Sequence, residues 1–122
     1  MDTVAADKTH RGHAIIEQVH ADLKAGPLAH LPSGVFTANS AWLVIAVIAF
    51  NLTRAAGLVA DRAGRLARAT TATIRRTLIH VPARLARSAR RITLHLPEAW
   101  PWQTAFDRLF TATHAPPPTV TT

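Results

Sequence analysis

The chain has 122 residues, 48% of them hydrophobic, with fourteen lysines and arginines against seven acids and no cysteine. That length suits one small domain, or a piece of a larger one, and excludes two. The missing cysteines exclude disulfide frameworks, cysteine zinc sites and thiol redox chemistry, and the net charge of +7 points to a polyanionic partner, nucleic acid ahead of an anionic membrane.

The N-terminus, MDTVAADKTHRGH, carries charge and histidine where a signal peptide needs an apolar stretch, which predicts a cytoplasmic protein with a flexible segment over residues 1–9. From His10 to Ala25 the apolar residues recur with a helical period, and Gly26-Pro27 supplies a stop signal. The stretch HLPSGVFTANS reads as a loop in which Asn39 or Ser40 caps the next helix. Every residue from Ala41 to Phe50 is apolar. This run is shorter than the roughly 20 residues that cross a bilayer, so it predicts no membrane span but a helix buried on all sides and continuing to about Ala60.

In ATTATIRRTLIHV, β-branched residues compete with alanines; the reading is a helix ended by Pro82. ARLARSARRITLHLP alternates about Ser88-Ala89 as a β-hairpin does, and Pro97 closes it. WPWQTAFDRLF returns to a helical period with Trp102, Phe106, Leu109 and Phe110 on one face, and the proline-rich residues 115–122 predict a disordered tail. The expected fold is mainly α with a small β-hairpin.

At about 100° per residue, with His10 at 0°, His13 falls near 300°, Glu17 near 340° and Lys24 near 320°. Ile15, Ile16, Val19 and Leu23 occupy the opposite side, so this helix is expected to rest its apolar face on a core and present a stripe of His, His, Glu and Lys. Such a stripe is commonly a solvated face; a carboxylate beside imidazoles can also ligate a divalent metal, with the lysine free for a phosphate. Between Arg54 and Arg91 stand ten arginines and one acid, Asp61, a density that favours phosphate contact. His20, His30, His80 and His95 match no zinc spacing and read as surface residues. Trp100 and Trp102, around Pro101, fit anchoring onto a core better than base stacking.

The spacing from His10 through His13 and Glu17 to Lys24 resembles the Tyr-Arg-Glu-Lys signature of bacterial insertion-sequence DDE transposases. Glu17 and Lys24 match in type, and histidines replace the Tyr and Arg. LPSGVFTANSAWLVIAVIAFNLTR is similar to the loop and buried helix that follow the glutamate helix in one such group, and VPARLARSARRITLHLPEAWPW to its C-terminal end. The likeness covers residues 10–114.

This resemblance implies a ribonuclease H-like α/β domain in which two aspartates and a glutamate hold two divalent metals, Mg²⁺ in an intact member, for DNA cleavage and strand transfer. It implies that Glu17 is the catalytic, metal-holding third carboxylate, that His13 and Lys24 contact the DNA backbone, and that Arg54, Arg62, Arg65 and Arg68 hold DNA flanks. The two aspartates belong upstream on strands, whereas only Asp2 and Asp7 precede Glu17, outside any strand-like run. The expectation is therefore a C-terminal portion of such a domain, without stable Mg²⁺ binding and inactive alone. Its apolar helix faces, deprived of the sheet, are then left exposed or gathered into a helical substitute. Two alternatives stand beside this reading: a small basic DNA-binding or interaction protein that modulates a full-length transposase, and a basic membrane-associated peptide built on residues 41–60.

Overall fold

The computed structural model describes residues 3–114, with the side chains of residues 3, 5, 6 and 8–14 outside the description. The tail 115–122 expected to be disordered also lies outside it. The elements run α1 (Thr3–Lys24), α2 (Phe36–Ala60), a 3₁₀ turn (Leu66–Arg68), α3 (Thr71–Ile74), a π-helical turn (Arg75–Ile79), β1 (Arg84–Ser88), β2 (Arg91–His95) and α4 (Gln103–His114). The expectation of a mostly helical chain with one small antiparallel hairpin holds. Two compact units divide it, residues 1–52 and 53–122.

In the first unit, α1 extends past the expected His10 start to Thr3 and ends where Gly26-Pro27 predicts. Pro27 has no N–H to continue the ladder, and the Leu28 amide donates instead to the Leu23 carbonyl at 3.1 Å. Leu23 is buried and Val19 half-buried, but Ile15 and Ile16 are exposed. The apolar face of α1 thus rests on packing only near its C-terminal end, a correction to the amphipathic expectation.

Helix α2 begins at Phe36, a turn earlier than a cap at Asn39 or Ser40 allows. Asn39 lies inside the helix and reaches backwards, its Oδ1 accepting from the Ser33 amide at 3.2 Å and its Nδ2 donating to the Ser33 carbonyl at 2.8 Å. Ser40 likewise donates to the Phe36 carbonyl, 3.1 Å away. Trp42 Nε1 donates to the Pro27 carbonyl at 2.9 Å and ties α2 to the turn after α1.

The helix ends at Ala60, as expected, but it is not buried on all sides. Leu43, Val44, Ile45, Ile48 and Leu52 are each about half exposed or more. With 25 residues, an 18-residue window of mean hydropathy 2.0 and only 17% of that window buried, α2 is long and apolar enough to cross a membrane. The ten-residue count that argued against a span considered only part of the apolar stretch.

The second unit has a core. Ala60, Leu66, Ile74, Leu78 and Ala105 are buried together, with Ala69, Trp100, Trp102, Phe106 and Leu109 packed around them. The two tryptophans are anchors, as read from Pro101. Thr70 caps α3 by accepting from the Thr73 amide at 3.3 Å. The π turn follows, with the His80 amide on the Arg75 carbonyl at 2.7 Å, and Pro82 lies just beyond it. The hairpin pairs Arg84 with His95, Leu85 with Leu94, Ala86 with Thr93, Arg87 with Ile92 and Ser88 with Arg91.

Candidate nucleic-acid interface

Two places carry the residues singled out by the sequence, one in each unit. On α1, Glu17 and Lys24 are both exposed, and seven residues of helical rise separate their Cα atoms by about 10 Å. The side chains of His10 and His13 lie outside the described residues. His20, set aside as a scattered surface histidine, is exposed at about 280° and shares the stripe, one turn from both Glu17 and Lys24. The i+3 spacing from Glu17 was the available signal.

Among the described residues, no group of three or more His, Cys, Asp or Glu side chains comes together to hold a metal ion. Hard divalent cations take six or more oxygens, several of them from carboxylates. A single solvent-facing Glu17 does not supply that donor set, so the described residues do not fit the two-metal pocket implied by the signature. His20, His30, His80 and His95 are all exposed.

The second place is the turn from Asp61 to Ala69. Arg54, on the last turns of α2, sends its guanidinium into this turn, with Nη2 donating to the Ala67 carbonyl at 2.9 Å and Nη1 to the Ala69 carbonyl. The Asp61 carboxylate accepts from the Leu66 amide at 3.1 Å, and the Gly64 amide donates to the Asp61 carbonyl at 3.1 Å. An arginine and an aspartate therefore brace the same short loop, and hydrogen bonds between a charged group and backbone are among the stronger ones available. These braces fix the stretch while Leu66 inserts fully into the core.

Outward from that scaffold stand Arg62, Arg65 and Arg68, all three exposed. Arg65 lies over the Trp102 ring, its Cζ 5.7 Å from the centroid, a cation–π contact that limits its wandering. Arg65 and Arg68 line a shallow pocket with Ala63, Gly64, Ala69 and Thr73. The small residues lining it let a ligand approach the backbone, and the two guanidiniums supply donors suited to a phosphate. Of the four arginines expected to hold DNA, three share this turn and its surroundings; Arg54 is committed to the carbonyls behind it. Sequence reading treated Asp61 only as an opposing charge. Its place as a lone acid beside Gly64 in an arginine run was the clue to a turn-bracing role.

No curated protein and no solved structure matches the chain. The family described as Transposase DDE domain group 1 matches residues 6–116, so nearly the whole chain is covered and both candidate places fall inside the match. The chain belongs to that family of transposase DDE domains.

Proposed function

We propose that these residues are a C-terminal portion of a ribonuclease H-like transposase domain, which grips DNA through the 62–68 turn and does not cut it alone. Transposases act on DNA, and the family membership gives the basic surface its partner. The observation that carries the reading is the braced turn, which holds Arg62, Arg65 and Arg68 outward from a buried Leu66. Arg54 serves as the positioning residue of that turn. On α1, Glu17 stands where the signature has its metal-holding carboxylate, with His13 and Lys24 as backbone contacts to the transposon end.

Divalent metals, when a full set of carboxylates holds them, polarise phosphorus and activate the attacking oxygen in strand transfer. One carboxylate does not assemble that set, which supports an inactive chain. Its place of action is the cytoplasm, where bacterial DNA lies. A second reading, modulation of a full-length transposase, is favoured by the exposed Ile15, Ile16, Val44 and Ile45, an apolar surface that a second protein chain can cover.

The test is retention of a short duplex across a salt series. Wild-type chain should bind with a steep negative slope of log affinity against log salt. The triple variant R62A/R65A/R68A should flatten it by about 0.9 for each phosphate no longer neutralised, roughly 2.7 in all. Glu17→Ala should leave the slope unchanged. Absence of binding at low salt, or cleavage of the duplex by the wild-type chain with Mg²⁺, would sink the reading.

A further inference from the structure

The hairpin's four arginines entered the sequence reading only as part of a basic run, yet the register of the ribbon sorts its side chains into two chemically distinct faces. Directly paired residues in an antiparallel ladder project to the same side. Arg84 with His95, Ala86 with Thr93 and Ser88 with Arg91 therefore form one polar face, while Leu85 with Leu94 and Arg87 with Ile92 form the other. All but Ala86, which is half-buried, are exposed. Arg90 adds a fourth guanidinium at the turn, and no acid occurs between Pro82 and Pro97. At the base, Glu98 lines a shallow cleft with Arg84 and His95, leaving the tip as the most basic part.

We propose that this hairpin is a second DNA-holding element, whose polar face takes the sugar-phosphate backbone of a duplex. The proposal rests on the reading of the chain as a DNA-binding transposase domain. A two-stranded ribbon standing by itself is marginal in water, and four arginines on it repel one another. A polyanion removes that repulsion and gives the ribbon a surface to lie on. The dimensions agree with this partner. Arg84 and the Ser88–Arg91 pair lie four residues apart along a strand, about 14 Å, so the two guanidiniums can reach different phosphates of one backbone. Arginine's planar fork suits phosphate oxygens, and Ser88 and Thr93 add neutral donors between the charges.

The test uses the full chain and a fluorescein-labelled duplex of random sequence, with anisotropy followed from low to moderate salt. R84A/R91A should lower the slope of log affinity against log salt by about 1.8 and weaken binding at least tenfold, with far-UV circular dichroism unchanged. R84K/R91K, which restores the charge, should recover the slope. If R84A/R91A matches wild type while R62A/R65A/R68A loses slope, the hairpin proposal is overturned and the turn reading stands. If the wild-type chain binds no duplex, both fall. Loss of binding in the lysine pair as well would assign these arginines to the fold and overturn the proposal. So would an unchanged duplex affinity accompanied by lost binding to phosphatidylserine vesicles, which would make the ribbon a membrane element.

Discussion

Residues 1–52 and 53–122 differ in two ways at once. The first unit holds three basic and four acidic residues, so it is close to neutral, and among its described residues the buried apolar side chains are Leu23 and Ala46. The second holds eleven arginines and three acids, and it has the buried cluster. The more highly charged unit is the better packed one. Hydrophobicity therefore does not decide burial here. Helix α2 is apolar around its whole circumference, and one neighbouring helix can cover only a stripe of it. In the second unit, Arg54, Asp61 and Thr70 hold short turns that fold the chain back on itself within a few residues. Each turn returns a Leu or an Ile to the same place.

The sharpest way to break this comparison is to remove equal apolar mass from each unit. Ile74 is fully buried, and Ile74→Ala should cost about 2–5 kcal/mol through lost transfer energy and an unfilled cavity. Ile45 is 60% exposed, and Ile45→Ala should stay within about 0.5 kcal/mol. Urea unfolding followed by tryptophan fluorescence measures both. Equal losses would mean that the first unit buries Ile45 in solution, and the contrast between the units would be gone. Ile45→Lys should also raise solubility, since the exposed apolar surface of α2 is the expected source of association.

Much of the second unit was legible in its residues. Period-two alternation about Ser88-Ala89 gave the hairpin, Pro82 and Pro97 its limits, and the spacing of Trp102, Phe106 and Leu109 the face packed on the core, whereas Phe110, expected on the same face, is exposed. These are local signals, and local turns satisfied them. The first unit was less legible because the apolar pattern of Ile15, Ile16 and the Ala41 run says that a face wants cover but not whether cover exists. The cap at Asn39 failed for a related reason: its amide has two ways to satisfy a backbone, and binding back to Ser33 competes with capping forward. At the candidate site, charge density located the arginines, but the division of labour between Arg54 and its neighbours depends on which carbonyls face α2.

A second prediction tests how tightly the packed unit is closed. Gly57 lies where α2 meets the core, and a Cβ there would stand 2.7 Å from Ile74 Cδ1 and 2.8 Å from the Leu66 carbonyl oxygen. Alanine gains about 1 kcal/mol of helix propensity over glycine. Overpacking costs about 1–3 kcal/mol, and because backbone at Leu66 has little room to move the upper part of that range applies, so Gly57→Ala should destabilise by about 1–2 kcal/mol net. Loss of Leu66 packing also loosens the turn that carries Arg65 and Arg68, so duplex affinity should fall with stability. A variant as stable as wild type would show that α2 and the core are not in close contact at this point.

The smallest expected effect, and the only stabilising one, concerns the hairpin, which belongs to the packed unit by sequence but has exposed faces like the first. Ala89, in the turn between β1 and β2, has φ of 51°, a left-handed conformation that costs an L-residue about 1–2 kcal/mol. Glycine adopts it without strain but gives back part of the gain through the freedom of its unfolded chain, leaving Ala89→Gly more stable by about 0.5–1 kcal/mol. A melt of the whole chain will barely register this, because a ribbon without a core opens locally before the unit unfolds. Amide hydrogen exchange at Ala86, Ser88, Arg91 and Thr93, the pairs that exchange hydrogen bonds across the ladder, is the appropriate measurement, and protection should rise roughly two- to fivefold, in line with that free energy. If protection rises while the salt slope for duplex binding stays constant, the ribbon's order and its charge are separable, and the arginines act through their charge alone. If protection falls, the alanine is held in its turn by contacts that outweigh its strain, and the hairpin is more tightly packed than its exposure indicates.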